Sequence, residues 1–170
     1  DMALDSDSTK VKVKCVEVQR KIEAKLGGIP YTGIHVLCSE EFFDALTGHP
    51  AVEGAFDRWM NGEFMRTQQR NLNGGGSFFY SNVLWEEYRG KVANTRFIPQ
   101  NKALAIPLGV PGLFRTLYAP ADYFETVNTL GLPYYAKLIP DRSGRNVEIE
   151  AQSNPLMLNT RPEVVVELSI

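Results

Sequence analysis

Five apolar residues near the start of the chain, Val11, Cys15, Val18, Ile22 and Leu26, recur at steps of four, three, four and four. That spacing puts them on one stripe of an α-helix, with Lys12, Lys14, Glu17, Arg20, Lys21 and Lys25 on the rest of the cylinder. A helix over Ser8–Leu26 is expected, about 28 Å long at 1.5 Å per residue. Asp7 or Ser8 can cap its N-terminus, and Gly27-Gly28 can stop it. Residues 11–15 also alternate as a strand does, so the first turn is the least determined part. The stripe is expected to pack on the alternating end of the chain, Val164, Val166 and Leu168.

Pro30 to Gly33 reads as a turn and Ile34–Cys38 as a short buried strand. Ser39 offers an N-cap, and Glu40 and Glu41 suit the positive first turn of a helix ending at Thr47-Gly48. Pro50 can open another helix with Val52, Ala55, Phe56 and Trp59 as its apolar stripe and Gly62 as its end. Residues 63–77 are polar and glycine-rich, which predicts a mobile surface loop around Gly74-Gly75-Gly76. Strand-like segments follow at Ser77–Ser81, Val83–Arg89, Arg96–Ile98 and Ala103–Leu108. Asp122-Tyr123-Phe124-Glu125 has a capping-box pattern and predicts a helix closed by Gly131 and Pro133. Tyr134–Ile139 and Asn146–Ala151 flank Pro140-Asp141-Arg142-Ser143-Gly144 as a hairpin, and the chain ends in strand. Helices and antiparallel strands segregated in sequence predict the α+β class.

A length of 170 residues suits one domain or two small ones, burying roughly 70% of the unfolded surface without staples. Eighteen basic against twenty acidic residues leave no electrostatic footprint for gripping phosphates. The longest apolar runs, such as Val164–Val166, fall far short of the about 20 residues that span a bilayer. The opening Asp-Met-Ala-Leu-Asp-Ser-Asp is acidic, unlike a secretory signal. Cys15 and Cys38 lie apart and form no CxxC pattern, so neither a disulfide framework nor a zinc site is implied. The sequence reads as a reduced, intracellularly made, soluble chain. Because it begins with Asp, it also reads as a piece of something longer.

Catalytic chemistry would have to start from His35 and His49, the two histidines. His35 sits within an apolar strand, which favours a hydrogen-bonded core or interface role over that of a general base. His49 precedes Pro50 and favours capping or solvent. No G-x-S-x-G elbow and no H-E-x-x-H motif accompanies them. Gly27-Gly28 follows a helix rather than a strand and lacks the Gly-Lys-Ser/Thr ending of a phosphate loop. The pairs Glu40-Glu41 and Glu86-Glu87 are better explained by a helix start and a solvent-facing strand end than by acid–base work. Phe78-Phe79-Tyr80, Trp85 and Tyr88 lack interleaved Lys and Arg, so core and subunit-interface packing is preferred over base stacking. No catalytic, cofactor-binding or metal-ligating residue is therefore assigned.

The second half carries ordered blocks of a more specific kind. Phe97-Ile98-Pro99, Ala103-Leu104-Ala105-Ile106-Pro107-Leu108-Gly109 and Gly112-Leu113-Phe114-Arg115-Thr116 come first. Tyr118-Ala119-Pro120-Ala121-Asp122, Glu125–Gly131 and Tyr134-Tyr135-Ala136-Lys137 continue the series. It closes with Gln152-Ser153-Asn154-Pro155-Leu156 and Thr160-Arg161-Pro162-Glu163-Val164. Together they resemble the signature of the major capsid protein E family of lambda-like tailed phages, matched over the C-terminal half of that family.

The resemblance implies an HK-97-type capsid fold. In it, residues 1–30 and 133–170 would form part of a peripheral domain with its spine helix, and residues 31–132 an axial domain. The family's N-terminal arm and long hairpin loop would be absent. It also implies a structural subunit of an icosahedral phage or prophage head, not an enzyme, that assembles with its own copies around packaged DNA. DNA would be enclosed without sequence-specific binding and without a membrane. Portal, scaffold and decoration proteins would be further partners. The location implied is the virion capsid, after synthesis in the bacterial cytoplasm.

Overall fold

The computed structural model describes residues 1–56, 58 and 76–170, which divide into two compact units. One unit comprises Asp1–Pro111 with Pro162–Ile170, and the other Gly112–Arg161. The class is mixed α+β, as expected.

In the first unit, helix α1 runs from Val11 to Leu26, and Val11, Cys15, Val18, Ile22 and Leu26 are its buried residues. The stripe read from the spacing is thus the packed face, and the strand alternative for 11–15 is overturned, with Val13 half exposed. The helix begins three residues later than expected. Lys10 occupies the N-cap position without a side-chain bond, so neither Asp7 nor Ser8 caps it. Thr9 instead turns its hydroxyl back to the Ala3 carbonyl at 2.7 Å, which fixes the preceding loop. At the other end, Gly27 adopts φ 62°, a left-handed conformation that glycine reaches without a Cβ clash, and its N–H bonds the Glu23 carbonyl.

A five-stranded sheet receives the helices. Its strands are β1 (Gly33–Cys38), β2 (Ser77–Tyr80), β3 (Val83–Glu87), β6 (Lys102–Leu108) and β11 (Val166–Ser169), in the order β11-β6-β1-β3-β2. Only β1 and β3 run parallel, and helix α2 (Glu40–Thr47) lies within their long connection. Ser39 caps α2 as expected, its hydroxyl accepting from the Phe42 N–H at 3.3 Å. Residues 50–56 are helical, and Val52 is buried. The expected stripe member Trp59, the stop at Gly62 and the glycine-rich loop up to Gly75 lie outside the described residues. Ser77, given both to that loop and to the strand expected over Ser77–Ser81, opens β2.

Burial alternates along every central strand. Ile34, Val36 and Cys38 are buried on β1, Val83 and Trp85 on β3, and Ala103, Ala105 and Pro107 on β6. A period of two with one covered face is the mark of a half-buried sheet. Phe42 of α2 stacks on Trp85 with ring centroids 6.2 Å apart, while α1 packs against β11 and the turn Pro162–Val164. Val164 and Leu168 are buried, in line with the expected partners of the α1 stripe, although Val164 sits in a 3-10 turn rather than in a strand. Met2 and Leu4 also enter the core, where the Met2 N–H extends the sheet edge by bonding the Ser169 carbonyl at 2.8 Å. Arg96–Ile98 is not a long strand. Thr95–Arg96 (β5) pairs with Lys91–Val92 (β4) in a short hairpin.

The second unit consists of two ribbons. Phe114–Tyr118 (β7) pairs with Pro155–Asn159 (β10), and Tyr135–Pro140 (β8) with Val147–Gln152 (β9), both antiparallel. The hairpin expected around Asp141–Gly144 is present, with Gly144 at φ 67° and its N–H bonded to the Asp141 carbonyl at 2.9 Å. The helix expected after Asp122 is not. Only a 3-10 turn over Phe124–Thr126 forms, and Asp122 caps nothing. The Thr126 hydroxyl bonds the Ala121 and Tyr123 carbonyls, and the Thr129 hydroxyl bonds the Thr126 carbonyl, so side chains compete for the backbone groups a helix needs. Phe124 and Leu130 are 95% and 90% exposed, so no packed apolar face offsets that competition. Gly131 serves close approach rather than a helix end, because a Cβ there would overlap the Tyr118 carbonyl.

Candidate assembly surfaces

The two histidines occupy separate structural roles. His49 is buried, its Nδ1 accepts the Ala51 N–H at 3.1 Å, and its Nε2 lies 3.1 Å from the Ser6 carbonyl. Nδ1 as acceptor puts the ring proton on Nε2, so both nitrogens are spent on backbone at a helix start. Capping was expected here, but its burial was not. His35 lies on the less covered face of β1, opposite Leu84 and Ile106. Its Nε2 stands 2.8 Å from Glu86 Oε2 but off the line of a hydrogen bond. Among the described residues, neither imidazole is bonded to a hydroxyl or thiol nucleophile.

The acidic pairs also divide. Glu86 meets His35, whereas the Glu87 side chain is mostly covered and accepts from Arg89 at 2.8 Å, so Glu87 does not face water as expected. Glu40 and Glu41 stand at the N-terminus of α2, and Arg96 reaches them at 3.6 Å and 2.8 Å. The Glu41 backbone N–H and then the Arg96 guanidinium hold the Glu41 carboxyl below its ordinary range. A cavity of about 220 Å³ lies beside this cluster, between Ser39, Tyr88, Lys91 and Ile98. Arg89 and Arg96 already have carboxylate partners, which makes the cluster a brace for the β4–β5 hairpin.

Cys15 and Cys38 are free and buried. Burial raises the Cys15 thiol to about 12 and pushes Cys38 further still, so neither offers a reactive thiolate near neutrality. Both should react with an aromatic disulfide reagent only as fast as their unit opens, and at once in denaturant. Rapid labelling of either thiol in the folded protein would contradict this placement. Among the described residues, no group of three His, Cys, Asp or Glu side chains is arranged to hold a metal ion. No described helix is long and apolar enough to cross a membrane.

The aromatic cluster splits between core and surface. Trp85 and Phe78 are buried, with Phe56 edge-on to Phe78 at 5.2 Å and Tyr80 stacked on it at 5.7 Å. Tyr88 and Phe97 lie exposed beside each other, 6.4 Å apart.

What distinguishes the molecule is apolar surface outside any core. Phe114, Leu117, Leu156 and Met157 are exposed on the β7–β10 ribbon, and Leu138, Val147 and Ile149 on the β8–β9 ribbon. Two-stranded ribbons are marginal in water by themselves. Exposed apolar surface on this scale marks interaction sites. Sequence reasoning missed these residues as surface features. The alternation Ala136, Leu138, Pro140 and Val147, Ile149, Ala151 was available as a signal.

Comparison with known proteins gives the context. The family model described as phage major capsid protein E matches residues 1–170. The major capsid protein of Pseudomonas phage KPP10 is 32% identical over 177 residues, an alignment covering 96% of this chain and 50% of that protein. The major capsid protein of Salmonella phage Felix O1 is 24% identical over 194 residues, covering 97% and 53% respectively. The chain therefore spans about half the length of these relatives.

Proposed function

Because the chain belongs to the phage major capsid protein E family, we propose that it is a C-terminal part of a structural subunit that assembles with its own copies into an icosahedral head of HK-97 type around packaged DNA. The observation that carries this reading is the apolar surface of the ribbons, which a subunit covered on several sides by neighbours would bury. Near-neutral charge supports it as well. With a formal net charge of -2, the protein has little tendency to bind duplex non-specifically and slow its entry or exit. Portal, scaffold and decoration proteins are the further partners in this reading, and the head is reached after synthesis in the bacterial cytoplasm.

The domain reading, with residues 31–132 near the symmetry centres and 1–30 with 133–170 outlying, draws support from α1 packing on Pro162–Val164 and β11. The pairing of β11 with β6, by contrast, joins the chain end to the sheet of residues 31–132, across that division. Antibodies raised against residues 1–170 test the location. Gold label on the heads of disrupted virions, and none on the tails, is the expected result. Label on tails alone would overturn the assignment to the head.

A further inference from the structure

The β8–β9 ribbon has two unlike faces. Register pairs Ala136 with Ala151, Leu138 with Ile149 and Pro140 with Val147 on one face, and all six side chains are apolar and exposed. The other face carries the pairs Tyr135–Gln152, Lys137–Glu150 and Ile139–Glu148. That face is already engaged within its own unit. The Lys137 ammonium bonds Glu125 at 2.9 Å and sits 4.9 Å from the Tyr123 ring centre, and Gln152 Oε1 accepts the Asp122 N–H. The uncovered face is therefore the neutral one, and covering it buries no charge.

Its shape and the charges at its ends indicate what covers it. At the base, the small pair Ala136–Ala151 lines an open hollow of about 360 Å³ together with Tyr134 and Ser153. Toward the tip, the larger Leu138, Ile149 and Val147 stand 66%, 72% and 59% exposed. A second ribbon laid face to face with its direction reversed would put its larger side chains over this hollow, and the reverse would hold at the other end. The turn at the tip carries Arg142 and Arg145 against the one carboxylate of Asp141, a net positive charge, while Asp122 stands at the base. Two tips side by side would repel, whereas a tip over a base would attract, so charge favours the reversed arrangement.

We propose that the apolar face of the β8–β9 ribbon is a two-fold contact between copies of this chain, packed face to face and antiparallel. The proposal rests on the shell-subunit reading and names one of its contacts. Reversal about a two-fold axis makes the contact isologous, each ribbon presenting the same patch. Six-residue strands about 4.8 Å apart give a face about 20 Å by 10 Å, or about 200 Å², well below the roughly 800 Å² per partner of a standard interface. The contact is thus weak alone and is repeated by symmetry in a shell.

Sedimentation equilibrium of residues 1–170 over a wide concentration range tests it. The unmodified chain should form a weak dimer. Ile149→Glu, which places a charge in the contact, and Ala151→Trp, which fills the hollow while staying apolar, should each raise the dissociation constant at least about tenfold. Both positions are exposed, so circular dichroism and thermal unfolding should stay as in the parent. Glu148→Gln on the opposite face should leave association unchanged. Mixed Ala151→Cys and Val147→Cys chains should cross-link to each other, and Arg145→Cys chains should not cross-link tip to tip.

Association unaffected by both face variants, tip-to-tip cross-linking, or a strictly monomeric unmodified chain would each overturn the contact. Failure of this contact is separable from failure of the shell reading. Shells built by full-length protein carrying Ile149→Glu as readily as by the parent would sink the contact alone. A ribbon dimer in a protein that builds no shells would sink the shell reading alone.

Discussion

Ile22→Ala should destabilise the first unit by about 2–5 kcal/mol, the range for truncating a fully buried aliphatic side chain that leaves a cavity. Ile22 is on the α1 stripe, with 0% exposure, and α1 is anchored on β11 and the Pro162–Val164 turn. Set against a typical total of about 5–15 kcal/mol, the loss is large. Urea unfolding followed by circular dichroism should show a lower midpoint with an unchanged slope. A midpoint within error of the parent would mean that the α1 face is not packed as described.

Trp85→Ala should cost about 3–5 kcal/mol. Trp85 is 1% exposed in the middle of the covered sheet face, stacked on Phe42, and its indole N–H reaches the Tyr80 carbonyl at 3.4 Å. Truncation removes the contact that seats α2 on β3 and leaves the Tyr80 carbonyl without that donor. Trp85→Phe restores most of the ring volume and should recover more than half of the loss. Equal losses for the alanine and phenylalanine variants would mean that the indole N–H, rather than packing, dominates at this position.

These two residues also show which parts of the fold were legible. The α1 stripe was readable because a helix with one buried side leaves a period of 3.6 in the sequence, and that face stayed intact in the structure. The α2 cap was readable because Ser39 and two glutamates are local chemistry. Sheet order was not readable. Pairing β11 with β6 and β1 with β3 depends on contacts between residues far apart in sequence, which no local pattern encodes.

Strand β7 was missed for a different reason. Phe114 to Leu117 are exposed on both faces of the ribbon, so burial imposes no alternation there. The Asp122–Glu125 pattern misled because a capping box is necessary chemistry for one end of a helix and supplies nothing for its body. Thr126, Thr129 and the uncovered Phe124 and Leu130 decided against the helix. As for a site, the residues offered no nucleophile–base pair, and family resemblance in the second half supplied the functional reading. The surfaces that bear on assembly became visible only when register showed which side chains share a face.

The central claim is that this chain is part of a self-assembling head shell, and electron microscopy of the purified full-length product tests it most directly. Closed icosahedral particles formed without other phage proteins or with a scaffold alone are the predicted result. Tubes, or a product that stays monomeric under every assembly condition, would contradict it.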